Sequence, residues 1–209
     1  MITVGCCVGA QWKLAAFVLP WLGGRPLLAA YNQTSIVTAY NQILDAVDPH
    51  GAELTHPLLL VHDDLEVIDP DWADKVTTAF EDDTVGLVGV AGGGCASLYW
   101  WDHDPIGHQR TDVRLIDFGL RAGEVELIEG SFMAFSPWVA KRLRFDTLFA
   151  DCDFHGYDEI AAQVRAAGKR VVVVDLDTHH HNPEGYRSAR SADAKTRADQ
   201  QYRRKWRAA

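Results

Sequence analysis

The chain of 209 residues is 47% hydrophobic and carries a formal net charge of −9 at pH 7. This length suits a single domain with a sizeable core, and the acidic balance disfavours nucleic acid as a partner because phosphate backbones bind basic surfaces. The four cysteines lack C-x-x-C spacing, so we expect neither a disulfide framework nor a zinc knuckle.

The first residues, MITVGCCVGA, have the pattern of a β-strand rather than of a secretory signal. No apolar run approaches the ~20 residues of a membrane-spanning helix, so the sequence predicts a soluble cytoplasmic protein. We expect residues 1–186 to form the main domain and residues 187–209 to form a basic helical tail. The tail's charge would allow peripheral contact with anionic lipid, although a solvated helix face is the simpler interpretation.

Apolar runs of strand length recur along the chain. Uninterrupted runs such as LLLV and VVVV are typical of strands covered on both faces, as in parallel sheets. The predicted strands are 2–8, 27–31, 57–61, 85–90, 125–136 with a break, and 170–176.

Helical patterns alternate with these strands, over 34–47, 69–80, 158–168 and about 188–207. Asp158 suits an N-cap and Gly168 a C-terminal stop. The alternation predicts an α/β layered fold with a mostly parallel sheet.

The stretch 91–124 interrupts the alternation, since it is rich in Gly, aromatic and charged residues without a sustained period. Loops of this length in compact domains are usually functional or disordered. Trp100 and Trp101 argue against disorder.

Polar residues follow three of the predicted strands. His62, Asp63 and Asp64 end one strand, Asn32 follows another, and the run DTHHH (177–181) follows a third. Ligands of open α/β sheets bind at the carboxyl ends of the strands, so we expect these groups to converge.

A carboxylate beside imidazoles suggests a divalent cation, Mg²⁺ or Mn²⁺, and a His ligand favours Mn²⁺. The alternatives are turn capping by Asp63 and Asp64, and histidines that simply face water. For three consecutive histidines without other context, the solvated interpretation is the simpler one.

A further acidic stretch contains Asp158 and Glu159. A carboxylate held in a cleft can deprotonate an acceptor hydroxyl as a general base. A helix cap would explain Asp158 equally well.

Taken in order, the motifs VHDDLEV, VGLVGVAGGG, VELIEGSFMAFSP and YDEIAAQVRAAGKRVVVVDLDTHHH resemble those of GT-A glycosyltransferases. The resemblance is to a family 2-like group in which His-x-Asp replaces the more usual Asp-rich metal motif. It implies a single Rossmann-like GT-A domain that binds a nucleotide-diphosphate sugar together with Mn²⁺ or Mg²⁺. The sugar would be transferred to a carbohydrate or lipid-linked acceptor, with inversion in the simplest case.

The resemblance also implies roles for individual residues. Asp64 would hold the metal with a histidine of the 179–181 run, where His180 is preferred and His181 is the alternative. Asp63 would lie on the nucleotide side, and His62 would support the site rather than bind the metal.

Other implied roles concern the donor, the acceptor and the base. Asp158 or Glu159 would be the catalytic base. The residues expected to border the donor and acceptor are Gly9, Asn32 and Asn41 with Tyr40 near the nucleotide, Glu129 near the sugar, and Trp100 and Trp101 in the acceptor region.

The sequence departs from the family pattern at two places. The segment RPLLAAYNQ lacks the acidic motif that binds uracil in many family 2 enzymes, so the base of the donor is not identified. The distance from Asp158 to Gly168 is shorter than the family's acidic-helix motif, so Asp158 and Glu159 stay open as alternatives.

Two other functions are compatible with the sequence. A nucleotidyltransferase would usually have a Gly-rich loop with a basic residue after the first strand, whereas GCCVGAQWK is Gly-poor and offers Lys13. A non-catalytic module would keep the fold and bind the donor without turnover. A retaining mechanism is also compatible with the residues.

Overall fold

The computed structural model describes residues 1–47, 54–150, 155–181 and 192–206. The strands in these residues are β1 (Thr3–Val8), β2 (Leu27–Tyr31), β3 (Leu58–His62), β4 (Leu65–Val67), β5 (Val85–Gly89), β6 (Ala91–Gly93), β7 (Ile106–Thr111), β8 (Leu115–Asp117), β9 (Gly123–Val125), β10 (Leu127–Ile128), β11 (Phe132–Phe135), β12 (Arg170–Val173) and β13 (Thr178–His180). The α-helices are α1 (Gln11–Lys13), α2 (Ile36–Ala46), α3 (Trp72–Ala79), α4 (Pro137–Arg142), α5 (Gly156–Ala166) and α6 (Ala192–Trp206).

A seven-stranded sheet forms the centre of the fold, in the order β2-β1-β3-β11-β5-β12-β9. Strand β1 pairs in parallel with β2 and β3, and β12 pairs in parallel with β5. Strand β11 runs antiparallel between β3 and β5, and β9 runs antiparallel to β12. All strands of this sheet except β11 and β9 therefore run in one direction, which confirms the predicted α/β fold.

Both faces of the central sheet are covered. Along β3, Leu58 and Leu60 face one hydrophobic cluster, and Leu59 and Val61 face the other, as strand alternation requires. Helices α2, α4 and α5 contribute to the first cluster, while α3 and a π-helical turn (Leu14–Val18) contribute to the second. The continuous apolar run LLLV is thus buried on both sides, as predicted.

A six-stranded sheet lies beside the first, in the order β10-β6-β7-β13-β4, with β8 paired to β7. Strands β6, β7 and β8 and the start of β9 come from 91–124, so the expectation of one long irregular segment there was wrong. These strands are short and rich in Gly and polar residues, so the alternation of apolar and polar residues that identifies a strand is not visible in the sequence. Strand β13 pairs antiparallel with β4, so that His180 lies opposite Leu65.

The predicted start of helix α2 agrees with the structure, whereas the predicted N-cap of helix α5 does not. Ser35 caps α2, and its side chain accepts a hydrogen bond from the amide of Val37. Helix α5 begins at Gly156, and its N-cap is His155 in a left-handed conformation with φ 59°. Asp158 is therefore in the first turn rather than at the N-cap, and the capping interpretation was wrong.

Helix α6 packs on the main body through a small hydrophobic cluster. Ala194, Ala198 and Tyr202 contact a cluster that includes Trp100 and Phe149. The predicted boundary between a main domain and a basic tail falls within 182–191, outside the described residues, and stays a prediction. Among the residues that the structure describes, no helix combines the length and apolar character needed to cross a bilayer.

We predict that Leu60→Ala lowers the free energy of unfolding by about 2–5 kcal/mol, because Leu60 is fully buried in β3, an inner strand of the sheet, and truncating its side chain leaves a cavity. Leu148→Ala is the matched control, since Leu148 is 62% exposed, and it should change stability by less than about 0.5 kcal/mol. Urea unfolding followed by circular dichroism measures both. Equal effects of the two changes would contradict this packing.

Candidate functional site

The turn between β3 and β4 carries two buried carboxylates, Asp63 and Asp64, that contact different groups. One oxygen of Asp63, Oδ2, accepts hydrogen bonds from the backbone amides of Gly9 and Ala10, each at 2.8 Å. These amides follow the end of β1, the strand next to β3. Asp63 therefore ties the carboxyl end of β1 to the turn and compensates its own burial with two backbone donors.

Asp64 points to a different set of partners. Its Oδ1 lies 3.1 Å from Nε2 of His180 and 4.0 Å from Nδ1 of His62, and those two nitrogens are 3.4 Å apart. The three donor atoms all lie within 4.8 Å of one another. One carboxylate oxygen and two imidazole nitrogens form a donor set that suits a divalent ion such as Mn²⁺. The residues present thus fit a metal centre.

Lys13 occupies the other side of Asp64. Its Nζ lies 2.9 Å from Oδ2, so a side-chain ammonium already neutralises that oxygen. Burial alone would lower the pKa of Lys13, but the hydrogen bond to Asp64 and the charges of Asp64, Asp63 and Asp112 together outweigh burial and raise it. A positive charge is thus held beside the candidate metal ligands.

The charges of the three candidate ligands are coupled. Burial alone would raise the pKa of Asp64, but the hydrogen bond with His180, the charges of His62 and His180 and the hydrogen bond with Lys13 lower it well below its usual range. Burial would lower the pKa of His180, whereas the hydrogen bond to Asp64 and the charge of Glu129 raise it overall. Burial lowers the pKa of His62, and the charge of His180 adds to this. The site therefore combines a carboxylate whose ionised form is favoured with an imidazole, that of His62, whose burial favours the neutral form.

His62 is held from its far side by Tyr157. The Tyr157 hydroxyl lies 2.9 Å from Nε2 of His62, which leaves Nδ1 directed at Asp64 and His180. The Tyr157 ring lies against Gly130, where a Cβ would come within 2.1 Å of a ring carbon. A hydrogen bond at the second nitrogen commonly orients a ligating histidine. The sequence predicted a supporting role for His62, but the structure brings its Nδ1 into the ligand cluster.

The three consecutive histidines do not share one site. His180 faces Asp64, while His179 and His181 contact other carboxylates, Glu66 and Asp112. Only the backbone of His181 reaches Asp64, through a hydrogen bond from its amide to the carbonyl oxygen at 2.8 Å. The preferred candidate His180 is therefore brought to Asp64, whereas the side chain of His181 is not.

Glu129 is buried near this cluster, in the loop between β10 and β11. Its Oε2 accepts hydrogen bonds from the amide of Ser131 at 2.9 Å and from the Ser131 hydroxyl. The side chain of Gln109 bonds to the same hydroxyl at 2.8 Å. The charge of Glu129 contributes to the raised pKa of His180, so its carboxylate acts on the cluster of candidate ligands.

Asp158 takes part in a chain of carboxylate, imidazole and carboxylate. Its Oδ2 lies 2.8 Å from Nδ1 of His155, whose Nε2 lies 2.7 Å from Oδ1 of Asp199 in α6. Burial alone would lower the pKa of His155, but its hydrogen bonds and charge interactions with Asp158 and Asp199 outweigh burial and raise it. The imidazole thereby orients Asp158 at the start of α5.

Glu159 has a different environment from its neighbour. It is fully buried, and its Oε1 accepts a hydrogen bond from Lys205 of α6 at 2.7 Å. Its Oε2 accepts from Gln163 at 2.8 Å and from the amide of Asp146 at 3.3 Å. Both oxygens therefore join structural elements, and the geometry distinguishes Glu159 from Asp158.

The remaining candidates differ in how far they could reach a ligand. Asn32 is exposed at the end of β2 with φ 57°. Asn41 directs both ends of its amide to the backbone of Phe145, at 2.8 Å each, and so joins α2 to the segment before Thr147. Trp100 is buried, whereas Trp101 is half-buried and stacks on Tyr99, with ring centroids 4.9 Å apart.

Tyr40 is fully buried rather than beside an open groove. Burial is the main cause of the increase in the pKa of its hydroxyl. The structure therefore does not bring Tyr40 to the surface near Gly9, although α2 packs against β1 and Gly9 directly follows that strand.

Sequence reasoning assigned no site role to Lys13, Tyr157 or Asp199. The position of Lys13 in the sequence could have indicated its role, because a cation soon after the first strand would lie at the same sheet edge as Asp64. No sequence pattern indicates the roles of Tyr157 and Asp199, since their partners are distant in the chain.

Solved structures share this fold at low identity. GalNAc-T7, solved with UDP, GalNAc and Mn²⁺, superimposes with a TM-score of 0.59 and 11% identity over 94% of this chain and 47% of that chain. The mannosyltransferase PcManGT from Pyrobaculum calidifontis, in complex with GDP-Man and Mn²⁺, gives 0.54 and 13% over 88% and 58%. A197 from STIV gives 0.56 and 12% over 88% and 86%. The fold is thus a single α/β domain of the GT-A type.

A closer relationship comes from the sequence. The streptomycin biosynthesis protein StrF of Streptomyces griseus is 33% identical over 195 residues, which cover 87% of this chain and 67% of StrF. The chain belongs to the same family as StrF. No protein-family model matches the sequence.

We predict that His155 makes stability depend on pH. Its pKa in the folded state lies above the ordinary value of 6.5, so the protonated imidazole contributes fully below that pH and the contribution is lost as pH rises through the folded-state pKa. The loss of unfolding free energy in His155→Asn should therefore be largest near about pH 6 and smaller near about pH 8. Asn suits the left-handed backbone at this position.

Urea unfolding at a series of pH values measures this difference. Asp199→Asn serves as the control, because it keeps the imidazole and removes one of its two carboxylates, so it should flatten the profile in part. A difference that does not change with pH would contradict the assignment.

Proposed function

We propose that this chain is a metal-dependent glycosyltransferase, which moves a sugar from a nucleotide-diphosphate sugar to an acceptor hydroxyl with inversion. The observation that carries the proposal is the convergence of Asp64, His62 and His180 beside Lys13. Two solved proteins of the same fold hold Mn²⁺ together with UDP and GalNAc or with GDP-Man, which supports a donor of this class. We further propose a hexosyl donor, which is supported by the GalNAc and the GDP-Man in those two structures.

Asp64, His62 and His180 would hold the metal. When bound, a divalent ion there supplies Lewis-acid neutralisation of the negative charge that develops on the departing diphosphate. Lys13 would add a second positive charge close by, since its ammonium lies 2.9 Å from Oδ2 of Asp64. Electrostatic stabilisation of a leaving group by fixed charges is commonly the largest contribution to such catalysis.

The nucleotide would lie across the carboxyl ends of β1 and β2. Asp63 would act there indirectly, because its carboxylate fixes the amides of Gly9 and Ala10 rather than pointing outward. Asn32 is exposed at the neighbouring strand end and is the side chain proposed to contact the nucleotide. Asn41 would support this region through Phe145.

Asp158 is the proposed base. As the acceptor oxygen forms a bond to the anomeric carbon, the bond from that carbon to the diphosphate breaks, and Asp158 takes the acceptor's proton. His155 positions the carboxylate at 2.8 Å, and the N-terminal end of α5 favours the negative charge. Glu129 would face the sugar, and Trp101 with Tyr99 would offer an aromatic surface to a carbohydrate or lipid-linked acceptor.

We also propose that the reaction takes place in the cytoplasm. The sequence supports this, because its four cysteines lack the C-x-x-C spacing of a disulfide or zinc framework.

The first test measures donor binding by thermal shift. Nucleotide-diphosphate sugars with Mn²⁺ should raise the melting temperature of the wild type, and a donor at 100 times its Kd would add about 2.7 kcal/mol to stability. Asp64→Ala should abolish the Mn²⁺-dependent part of the shift. Asp74→Ala, which removes an exposed carboxylate of α3, should retain it, and a full shift in Asp64→Ala would remove Asp64 from the metal site.

The second test separates the two adjacent acids. Asp158→Asn should lower kcat by about 10²–10⁴, the usual contribution of a general base, while donor binding persists. Glu159→Gln should lower the melting temperature through its lost ion pair with Lys205 and leave kcat nearly unchanged. Transfer assays over a panel of acceptors measure kcat.

The reverse pattern would assign the base to Glu159. Donor binding without transfer or donor hydrolysis across the whole panel would instead support the non-catalytic module. Release of pyrophosphate from a nucleoside triphosphate would support a nucleotidyltransferase.

A further inference from the structure

The histidine run of β13 presents a second group of metal-binding side chains, apart from the Asp64 cluster. Successive side chains of a strand point to opposite faces, so His179 and His181 share the face opposite to His180. Glu66 of β4 lies directly across from His179 in the antiparallel pairing. Asp112, which follows β7, approaches the same face from the other neighbouring strand.

The distances in this second group are short. Nε2 of His179 lies 3.0 Å and Nδ1 of His181 lies 3.2 Å from the same oxygen of Asp112, Oδ1. Nε2 of His181 lies 3.0 Å from Oε2 of Glu66. The two imidazole rings are stacked with centroids 3.8 Å apart. Each nitrogen of His181 therefore faces a carboxylate oxygen.

We propose that Glu66, His179 and His181, with Asp112 as a fourth candidate ligand, bind a divalent transition-metal ion distinct from the one proposed at Asp64. Donor atoms of the first three residues lie within 4.8 Å of one another. Two imidazoles with one or two carboxylates are the ligands that Zn²⁺ takes in proteins, and Co²⁺ binds such sets as well.

The surroundings favour an ion that keeps an open coordination position. The side chains of His179 and His181 are 20% and 18% exposed, and that of Asp112 is 31% exposed. The ring of Phe17 stacks on His181 with centroids 4.0 Å apart and an interplanar angle of 14°. Phe17 shields one side of the group from water, while the carboxylate side stays accessible.

A metal ion here would reinforce three segments that already meet through main-chain pairing and through these side-chain contacts. Glu66 belongs to β4, the histidines to β13 and its end, and Asp112 to the turn after β7. His180 lies between the two proposed ligands in the chain, so an ion on this face would also restrain the strand that directs His180 at Asp64.

Metal stoichiometry of the full chain tests this inference. Protein stripped with a chelator is titrated with Co²⁺ or Zn²⁺ and followed by calorimetry, and Co²⁺ binding is also followed by its visible absorption. The wild type should bind two equivalents. His179→Ala and Glu66→Gln should each lose one equivalent, and Asp64→Asn should lose the other.

The variants keep the two proposals distinguishable. One equivalent in the wild type that is lost in Asp64→Asn and kept in His179→Ala would overturn the second site. One equivalent that is lost in His179→Ala and Glu66→Gln but kept in Asp64→Asn would support the second site and contradict the metal proposed at Asp64. Two equivalents that persist in both His179→Ala and Glu66→Gln would overturn the inference.

Circular dichroism and the melting temperature of each metal-free variant check that it folds. Glu66 is the safer position, because its side chain is 45% exposed, so Glu66→Gln provides the result if His179→Ala does not fold. The wild-type stoichiometry requires no variant.

Discussion

The contact between Asp64 and His180 is the interaction on which the rest of the site depends. Asp64 lies in the turn where the chain leaves the central sheet, and His180 lies on a strand of the second sheet. Their approach to 3.1 Å is possible because β13 pairs with β4, which follows that turn immediately. The position of the candidate metal centre is thus set by main-chain pairing, and side-chain choice then determines what it can bind.

Helix α6 forms ion pairs with residues at the acidic start of α5. Asp199 reaches His155, and Lys205 reaches Glu159, so one helix contacts the environments of both adjacent acids. A buried carboxylate without a partner would be costly, and Lys205 removes that cost for Glu159. The basic character of the tail therefore serves in part to neutralise a buried carboxylate of α5.

The sequence predicted the parts of the fold that depend on local pattern. Strand β2 was predicted to the residue, the buried run at β3 was recognised from its continuous apolar character, and the α/β class followed from the alternation. The roles of Asp63 and Asn41 could not be predicted in the same way, because their partners are 54 and 104 residues away. Asp63 was expected on the nucleotide side, because the sequence does not show that its carboxylate would accept hydrogen bonds from the amides of Gly9 and Ala10.

The histidine run makes the strand register of β13 chemically important. A slip of one residue would turn every side chain to the opposite face, so that His179 and His181 would meet Asp64 while His180 met Glu66. Imidazoles would still lie beside carboxylates on both faces of the strand. The slipped arrangement would therefore present the same types of side chain on each face, but every candidate ligand would be in the wrong place. The amide of His181 bonded to the carbonyl of Asp64 fixes the correct alignment through the main chain, where the identity of the side chains has no influence.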